Sequence, residues 1–500
     1  MFYIGRMAAD PAPPKGTALP EVLPATDLAD GAPTYDVVVV GFGIAGGCAA
    51  LEAARAGARV LLLERAAVHG GTSSMSGGHF YLGGGTAVQQ ATGHDDSPEE
   101  MYKYLVAVSK DPEHDKIRAY CEGSVEHFEW LESLGFEFER SYFPGKAVIQ
   151  PGTEGLMFTG NEKVWPYVEQ ARPAPRGHKV PVPGDTEGTK IVMDLLRDRV
   201  EEAGVEVRYE TAVTNLVADG SGAVVGVAWR SFEETGTVRA GAVVLAAGGF
   251  VMNPDMVAEH TPALGSKLFT LGSTYDDGLG IRLGASVGAE LKHMDEPFIT
   301  APFYPPSSLV TGLIVNAEGR RFVAEDSYHA RTSYHVLRQP GATAYLIVDS
   351  AHVEYPKMPL VPLLDGFETV AEMAAALEID EAALQETLDR YNKYAAAGED
   401  PDFHKSAEWL APQDRAPWAV FDLRLGKALY AGFTLGGIRV TVDGQAQRPD
   451  GSVIPGLYAA GACASNIAQD GAGYSSGTQL GEGSFFGRRA GRHAAGRFTG

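Results

Sequence analysis

Five hundred residues are too many for one small hydrophobic core, so two domains are expected. A hydrophobic share of 45% with ordinary charge content indicates a soluble globular chain, and a formal net charge of −23 argues against nucleic acid or an anionic membrane as partner. The three cysteines, Cys48, Cys121 and Cys463, have neither metal-ligand spacing nor a disulfide framework, and no metal is expected. The 61 glycines exceed the usual share of about 7%, as in a protein whose backbone approaches a ligand closely at several points.

Residues 1–33 are rich in Pro, Ala and Asp, with no basic start followed by an apolar stretch, and are expected to form a mobile N-terminal arm without a secretory signal. No segment reaches the ~20 apolar residues of a membrane span. A cytoplasmic protein with no integral membrane association is the expectation.

From Asp36 to Glu64 the chain reads as one device for holding dinucleotide phosphates. The valines Val37 to Val40 form the apolar run of a buried parallel strand. Next comes Gly41-Phe42-Gly43-Ile44-Ala45-Gly46, then a helix-prone stretch to Ala56, then a strand Arg59 to Leu63 ending on Glu64. Gly41 permits the tight turn, Gly43 lets the backbone approach a pyrophosphate, and Gly46 lets helix and strand pack closely. The helix N-terminus receives the phosphates, and Glu64 accepts from ribose hydroxyls.

Beyond lies a polar glycine-rich loop, Gly70 to Gly78. Helical patterning covers 97–135 with a break at Asp111-Pro112, and Pro and Gly crowd 144–188 into an irregular excursion. A helix from about Thr189 to Ala203 leads to a strand at Val205–Arg208 and a hairpin over Ala212–Ala218 and Val224–Ala228. Ala242 to Leu245 is a buried strand ending on Ala246-Ala247-Gly248-Gly249. From 286 to 436 the composition turns aromatic and proline-rich, with helices over roughly 368–397, as in an inserted α+β catalytic domain. The strand Leu457 to Ala460, Gly461 and a final helix return to the first domain. The expected architecture is α/β: a Rossmann-like cofactor domain split between 34–285 and 437–500, capped by the inserted substrate domain.

The loop after Glu64 favours FAD over a nicotinamide cofactor. Gly71-Thr72-Ser73 and Ser76-Gly77-Gly78 offer backbone N–H and hydroxyl groups to a pyrophosphate and flavin, where a nicotinamide enzyme normally continues strand–helix alternation. On these motifs the chain from Tyr35 onward resembles the fumarate reductase/3-ketosteroid dehydrogenase class of FAD flavoproteins. The resemblance also rests on Glu64-Arg65, Val213 on the strand meeting the adenine, Ala246 to Phe250 around Ala247, Asp276-Asp277-Gly278, and Tyr458 to Gly461. It implies that the helix starting near Gln479-Leu480 points its N-terminus at the flavin, where it would stabilise an anionic reduced ring. No Cys or His sits where a covalent link is obvious, so FAD is expected to be non-covalent.

Dicarboxylate-reducing members of the class carry His-Thr-x-Gly-Gly and two arginines. Here the first motif is Phe433-Thr434-Leu435-Gly436-Gly437, Tyr474 stands where one arginine would, and the other falls near Tyr328 or His329, with Arg331 two residues on. A dicarboxylate would lose most of its bidentate partners. Tyr474-Ser475-Ser476-Gly477 and Glu325 to Tyr328 instead resemble 3-ketosteroid dehydrogenases, most closely the Δ4-(5α) type. Phe433, Leu435 and Phe303 to Pro306 could line an apolar steroid slot. The resemblance implies that Tyr474 donates to the developing enolate oxygen, with a backbone N–H near Gly477, and that Ser476 and Tyr328 accept or relay the α-proton. Neither is a strong base, so a depressed phenol pKa, a relay to solvent or concerted hydride loss must help. His329 is a further candidate assistant.

The leading expectation is therefore oxidation of a 3-oxo-5α-steroid to a 3-oxo-4-ene steroid in steroid breakdown, with an unidentified electron acceptor. The alternatives are a Δ1-dehydrogenase, a flavin-dependent reductase of a small unsaturated acid, and a non-catalytic FAD- or prenyl-binding carrier.

Overall fold

The computed structural model describes residues 16–184, 188–265, 267–357 and 360–496. The valine run forms the centre of the main sheet: in the strand Thr34–Val40, Val37, Val38 and Val39 are fully buried. Val60–Leu63 pairs with it in parallel on one side and Glu234–Leu245 on the other. Across the sheet the strands run Leu23–Pro24, Ala212–Ala218, Val224–Ser231, Glu234–Leu245, Thr34–Val40, Val60–Leu63 and Glu206–Arg208. Strands covered on both faces read as unbroken apolar runs, which is why Val60–Leu63 and Val243–Leu245 show no alternation.

Glu234–Leu245 is longer than the expected strand at Ala242 and serves two partners. Its first half pairs antiparallel with Val224–Ser231, and Val243–Leu245 pairs in parallel with Leu457–Ala459. The strand that starts at Val453 thus joins, from more than 400 residues away, the sheet begun at Thr34.

The helix Thr478–Gly496 then lies along the first helix, Ile44–Arg55. A Cβ at Gly487 would sit 2.3 Å from the Ala45 carbonyl oxygen, and one at Gly491 2.0 Å from that of Ala49. The two backbones touch, and only glycine allows it. Glu52 on the first helix accepts from Trp130 (2.9 Å), Arg488 (3.3 Å) and Arg492 (2.6 Å). Burial pushes this carboxyl up, but the hydrogen bond from Arg492 and the charge of Arg488 outweigh it and hold it below its ordinary range.

The second unit is built on a four-stranded antiparallel sheet, Leu313–Asn316, Ala344–Val348, Trp418–Asp422 and Leu363–Phe367, with the helices Val370–Leu377 and Glu381–Ala395 on its apolar side. Ala431–Thr434 pairs with Pro297–Thr300 and with Phe269–Thr270, so this unit recruits a strand that precedes residue 286. Leu291–Lys292 pairs with Gly437–Ile438 where the units join. The 144–188 stretch is less irregular than its composition implies: Leu156–Met157 and Gly177–Lys179 form a small sheet with His79–Tyr81.

Of the arm expected over 1–33, residues 1–15 lie outside the described residues. Residues 16–33 do not hang free. Leu23 pairs with Val217, Ala18 O accepts from Arg282, and Gly16 O accepts from Asn253. The physical reason is an otherwise open sheet edge at Ala212–Ala218, which the arm covers. Among the described residues no helix is long and apolar enough to cross a membrane.

Candidate active site

The ends of the parallel strands and two helix N-termini converge on one cradle. Gly41 has φ +99°, and a Cβ there would lie 2.5 Å from the Ala246 carbonyl. A Cβ on Gly46 would lie 1.9 Å from the Gly41 oxygen, so helix and turn are in backbone contact. Gly43 caps the first helix in extended conformation, and the Ile44 N–H meets Ser73 Oγ at 3.1 Å. At Gly461, with φ +63°, an added Cβ would lie 2.7 Å from the Ala45 Cβ, and one at Gly483 of the last helix would lie 3.8 Å from the Gly461 Cα. Glu64 stands at the end of its strand, accepting from the N–H of Phe42 and of Ala66, both 2.7 Å. Burial pushes its carboxyl up while those backbone donors pull it down, with a net rise.

Other expected cofactor contacts are engaged with one another. Arg65 pairs with Asp277 at 2.8 Å and lies over the Tyr275 ring. Thr72 donates to Asp276 and accepts from the Ser273 N–H. Burial lifts Asp276 to about 6. Gly71 adopts positive φ, and Gly77 and Gly78 abut the start of the helix Gly188–Glu202. Ala247 N donates to Cys463 Sγ. Val213 is buried beside Thr211, whose N–H reaches the Glu64 carbonyl.

On the substrate side, the fold brings together three side chains separated by up to 148 positions. Tyr328 Oη and Ser476 Oγ are 2.6 Å apart. Tyr474 packs with Tyr328, Phe298, Leu435 and Phe433 in one apolar cluster, its ring centroid 4.6 Å from that of Phe298 and 5.7 Å from that of Phe433. Burial pushes both phenols above their ordinary pKa. A backbone hydrogen bond from Gln479 opposes this at Tyr474, and the Ser476 hydroxyl opposes it at Tyr328. A depressed phenol pKa is therefore not what this pocket provides. Gln479 itself has its side chain on Asn466 Oδ1 (2.9 Å), and Leu480 beside it is buried.

His329 is buried against Tyr328, its Nδ1 2.5 Å from Thr300 Oγ1, and burial lowers it to about 3. It is neutral at physiological pH. Arg331 donates to the Trp165 carbonyl at 3.0 Å, and Arg321 is gripped by Glu325 and Asp400. Arg331 also lies over the Tyr167 ring, and Arg321 over those of Tyr391 and Phe403.

The FAD binding domain family matches residues 36–484. The chain belongs to that family. Among solved structures, the 3-ketosteroid-Δ4-(5α)-dehydrogenase of Rhodococcus jostii, in complex with 4-androstene-3,17-dione, is similar at 40% identity and a TM-score of 0.90, covering 95% of this chain and 99% of that one. The urocanate reductase of Eggerthella lenta is 30% identical over 496 residues, 92% of this chain and 74% of the relative. The 3-oxo-5-alpha-steroid 4-dehydrogenase of Comamonas testosteroni is 28% identical, over 85% of this chain and 92% of the relative.

This protein is thus a flavin-dependent oxidoreductase that binds FAD non-covalently. Its residues fit that cofactor: the turn at Gly41 and the close approach at Gly46 leave the first helix N-terminus facing the strand ends, and a side chain at either glycine would collide with backbone.

Two residues of this flavoprotein's site escaped the sequence reading. Asn161 Oδ1 accepts from Tyr328 N (2.9 Å), while its Nδ2 donates to Ala472 O (3.1 Å), so one amide clasps the loops that carry both tyrosines. Tyr104 Oη accepts from Asn161 N (2.8 Å) and meets Ser475 Oγ at 3.2 Å. Asn161 comes from the Pro/Gly-rich stretch, where no periodicity marks a functional side chain. The only available signal was polarity inside an otherwise breaker-rich segment.

Glu482, in the last helix, accepts from Ile467 N at 3.0 and 3.1 Å and lies 4.0 Å from Lys116 Nζ. Burial raises it from 4.5 to about 7, against the pull of Lys116. A carboxyl raised on folding contributes stability fully below its unfolded pKa and loses it as pH climbs through about 7. Glu482→Gln is therefore expected to stabilise the protein by about 1–3 kcal/mol at about pH 8 and to be near neutral at about pH 5. Denaturant unfolding at the two pH values checks it; equal effects at both would exclude the titration.

Proposed function

We propose that this flavoprotein oxidises 3-oxo-5α-steroids to 3-oxo-4-ene steroids. The reading is carried by the Tyr328–Ser476 pair, 2.6 Å apart, set with Tyr474 in an apolar aromatic cluster. An apolar ketone suits such a lining, and the Arg321 guanidinium is already paired with Glu325 and Asp400 rather than free for a dicarboxylate. The likeness to the Rhodococcus jostii enzyme, solved with a 4-ene-3-ketone, supports the same substrate class.

Desaturation beside a ketone removes an α-proton and a β-hydride. Bound FAD supplies the two-electron acceptor for the hydride. Tyr474, protonated because burial favours its neutral form, donates to the carbonyl oxygen as negative charge develops there. The N–H of Gln479 fixes the direction of that phenol. Ser476 and Tyr328, already hydrogen-bonded, take the α-proton as a pair. Asn161 holds Tyr328 and the Ala472 loop in register, which keeps donor and acceptor on one ketone.

Anaerobic titration of the holoprotein with a panel of 3-ketosteroids tests the proposal. Bleaching of the flavin by a saturated 3-oxo-5α-steroid, with a 4-ene product, is the expected result. Bleaching by 3-keto-4-ene steroids alone would give the reaction to a Δ1-dehydrogenase. Reoxidation of the reduced protein only by a small unsaturated acid would make it a reductase.

A further inference from the structure

A proton taken from carbon by a buried phenol must be passed on, or the site stalls after one turnover. Tyr328 also lines a cavity of which neither Tyr474 nor Ser476 is a wall, and whose other walls include Lys146, Glu162 and Asp326. Lys146 Nζ donates to the Asp326 carbonyl at 2.7 Å and sits 5.0 Å from the Tyr304 ring centroid. Asp326 Oδ2 accepts from Ser406 N, while its buried Oδ1 has no hydrogen-bond partner among the described residues. Glu162, 1% exposed, accepts from Tyr81 Oη (2.9 Å) and from Gly160 N (3.0 Å). Lys163 and Glu408 form a 3.9 Å pair on the cavity wall, with side chains 49% and 50% exposed, so the polar lining continues to solvent.

We propose that this cavity is the exit for the substrate proton and that Lys146 carries the proton from Tyr328 to water. The inference rests on the function proposed above, since only removal of a carbon-bound proton calls for an exit. The steps balance. The α C–H bond breaks and its proton passes to Ser476 Oγ while Ser476 hands its own proton to Tyr328 Oη and Tyr328 hands its own onward, so neither hydroxyl carries an extra proton. The electron pair it leaves forms the new double bond as the β-hydride departs to FAD, the two-electron oxidant. In the same relay the proton given up by Tyr328 crosses the cavity that both residues line to a neutral Lys146 amine, which passes it to bulk water, so each group ends with the protons it began with.

The charges facing Lys146 permit this. Burial lowers it to about 8, opposed by Asp326, Glu162 and Glu408 and assisted by Lys163. An amine accepts a proton only when neutral, so the flavin reduction rate should rise as pH climbs through about 8.

The experiment is anaerobic stopped-flow reduction of the holoprotein by a saturating 3-oxo-5α-steroid across the pH range, for wild type, Lys146→Met and Lys146→Arg. Arginine keeps a donor and a charge but cannot give up its proton. Both variants should reduce at least about tenfold more slowly at alkaline pH and lose the rise, with the steroid-induced shift of the flavin spectrum retained. A wild-type rate and pH profile in Lys146→Arg, or in Lys146→Met, would overturn the proposal while leaving the steroid reading intact. A wild-type protein that no 3-oxo-5α-steroid bleaches would take down both.

Discussion

Tyr474→Phe is expected to slow anaerobic flavin reduction by roughly 10²–10³-fold, the usual loss for one oxyanion donor. The change removes the bond to the Gln479 N–H but leaves the ring packed on Phe298 and Phe433, so packing and the oxidised flavin spectrum should survive it. Tyr328→Phe should be comparably slow for a different reason, because it strands Ser476 without its 2.6 Å partner. The two defects separate by binding. A phenolic product analogue that mimics the enolate should lose affinity in Tyr474→Phe and keep most of it in Tyr328→Phe. Full activity in Tyr474→Phe would remove that residue from the chemistry.

Gly46→Val is expected to abolish FAD retention and cost at least about 3 kcal/mol of stability. The added Cβ would fall 1.9 Å from the Gly41 carbonyl oxygen, and both groups are backbone, so neither can rotate aside. Relief requires the first helix to lift from its strand, which opens the phosphate cradle. Gly220→Ala, where nothing lies within 4 Å of the new carbon, is the control and should leave flavin content and melting temperature unchanged. Flavin absorbance relative to protein absorbance after purification reads the outcome. A yellow Gly46→Val protein would show that the cradle tolerates separation.

The cofactor half was legible because its physics is local. A buried parallel strand announces itself as an apolar run, and the glycines of the turn are forced by collisions that involve near neighbours, as Gly46 with Gly41. The contact between the first and last helices involves equally severe collisions, at Gly487 and Gly491. Those glycines recur at spacing four, but a stripe of small residues on one helix does not name the helix it meets more than 400 residues away. The tyrosines were legible only through likeness to known enzymes, because Tyr328 and Tyr474 sit in loops whose sequences carry no period. Asn161, which holds those loops together, had no such likeness to reveal it. Of the three aids open to so weak a base, a lowered phenol pKa is the one this pocket opposes, for a reason invisible in sequence: burial acts on both rings from neighbours scattered over the chain.

The contact between Ile44–Arg55 and Thr478–Gly496 has a consequence for biosynthesis. At translation rates of about 5–20 residues per second, the first helix waits roughly 20–90 s on the ribosome before the segment that covers it emerges. Throughout that interval Ala45 and Ala49, the backbone seats of Gly487 and Gly491, lack the helix that covers them. The nascent chain therefore carries a written but unsealed nucleotide fingerprint until Thr478–Gly496 has emerged.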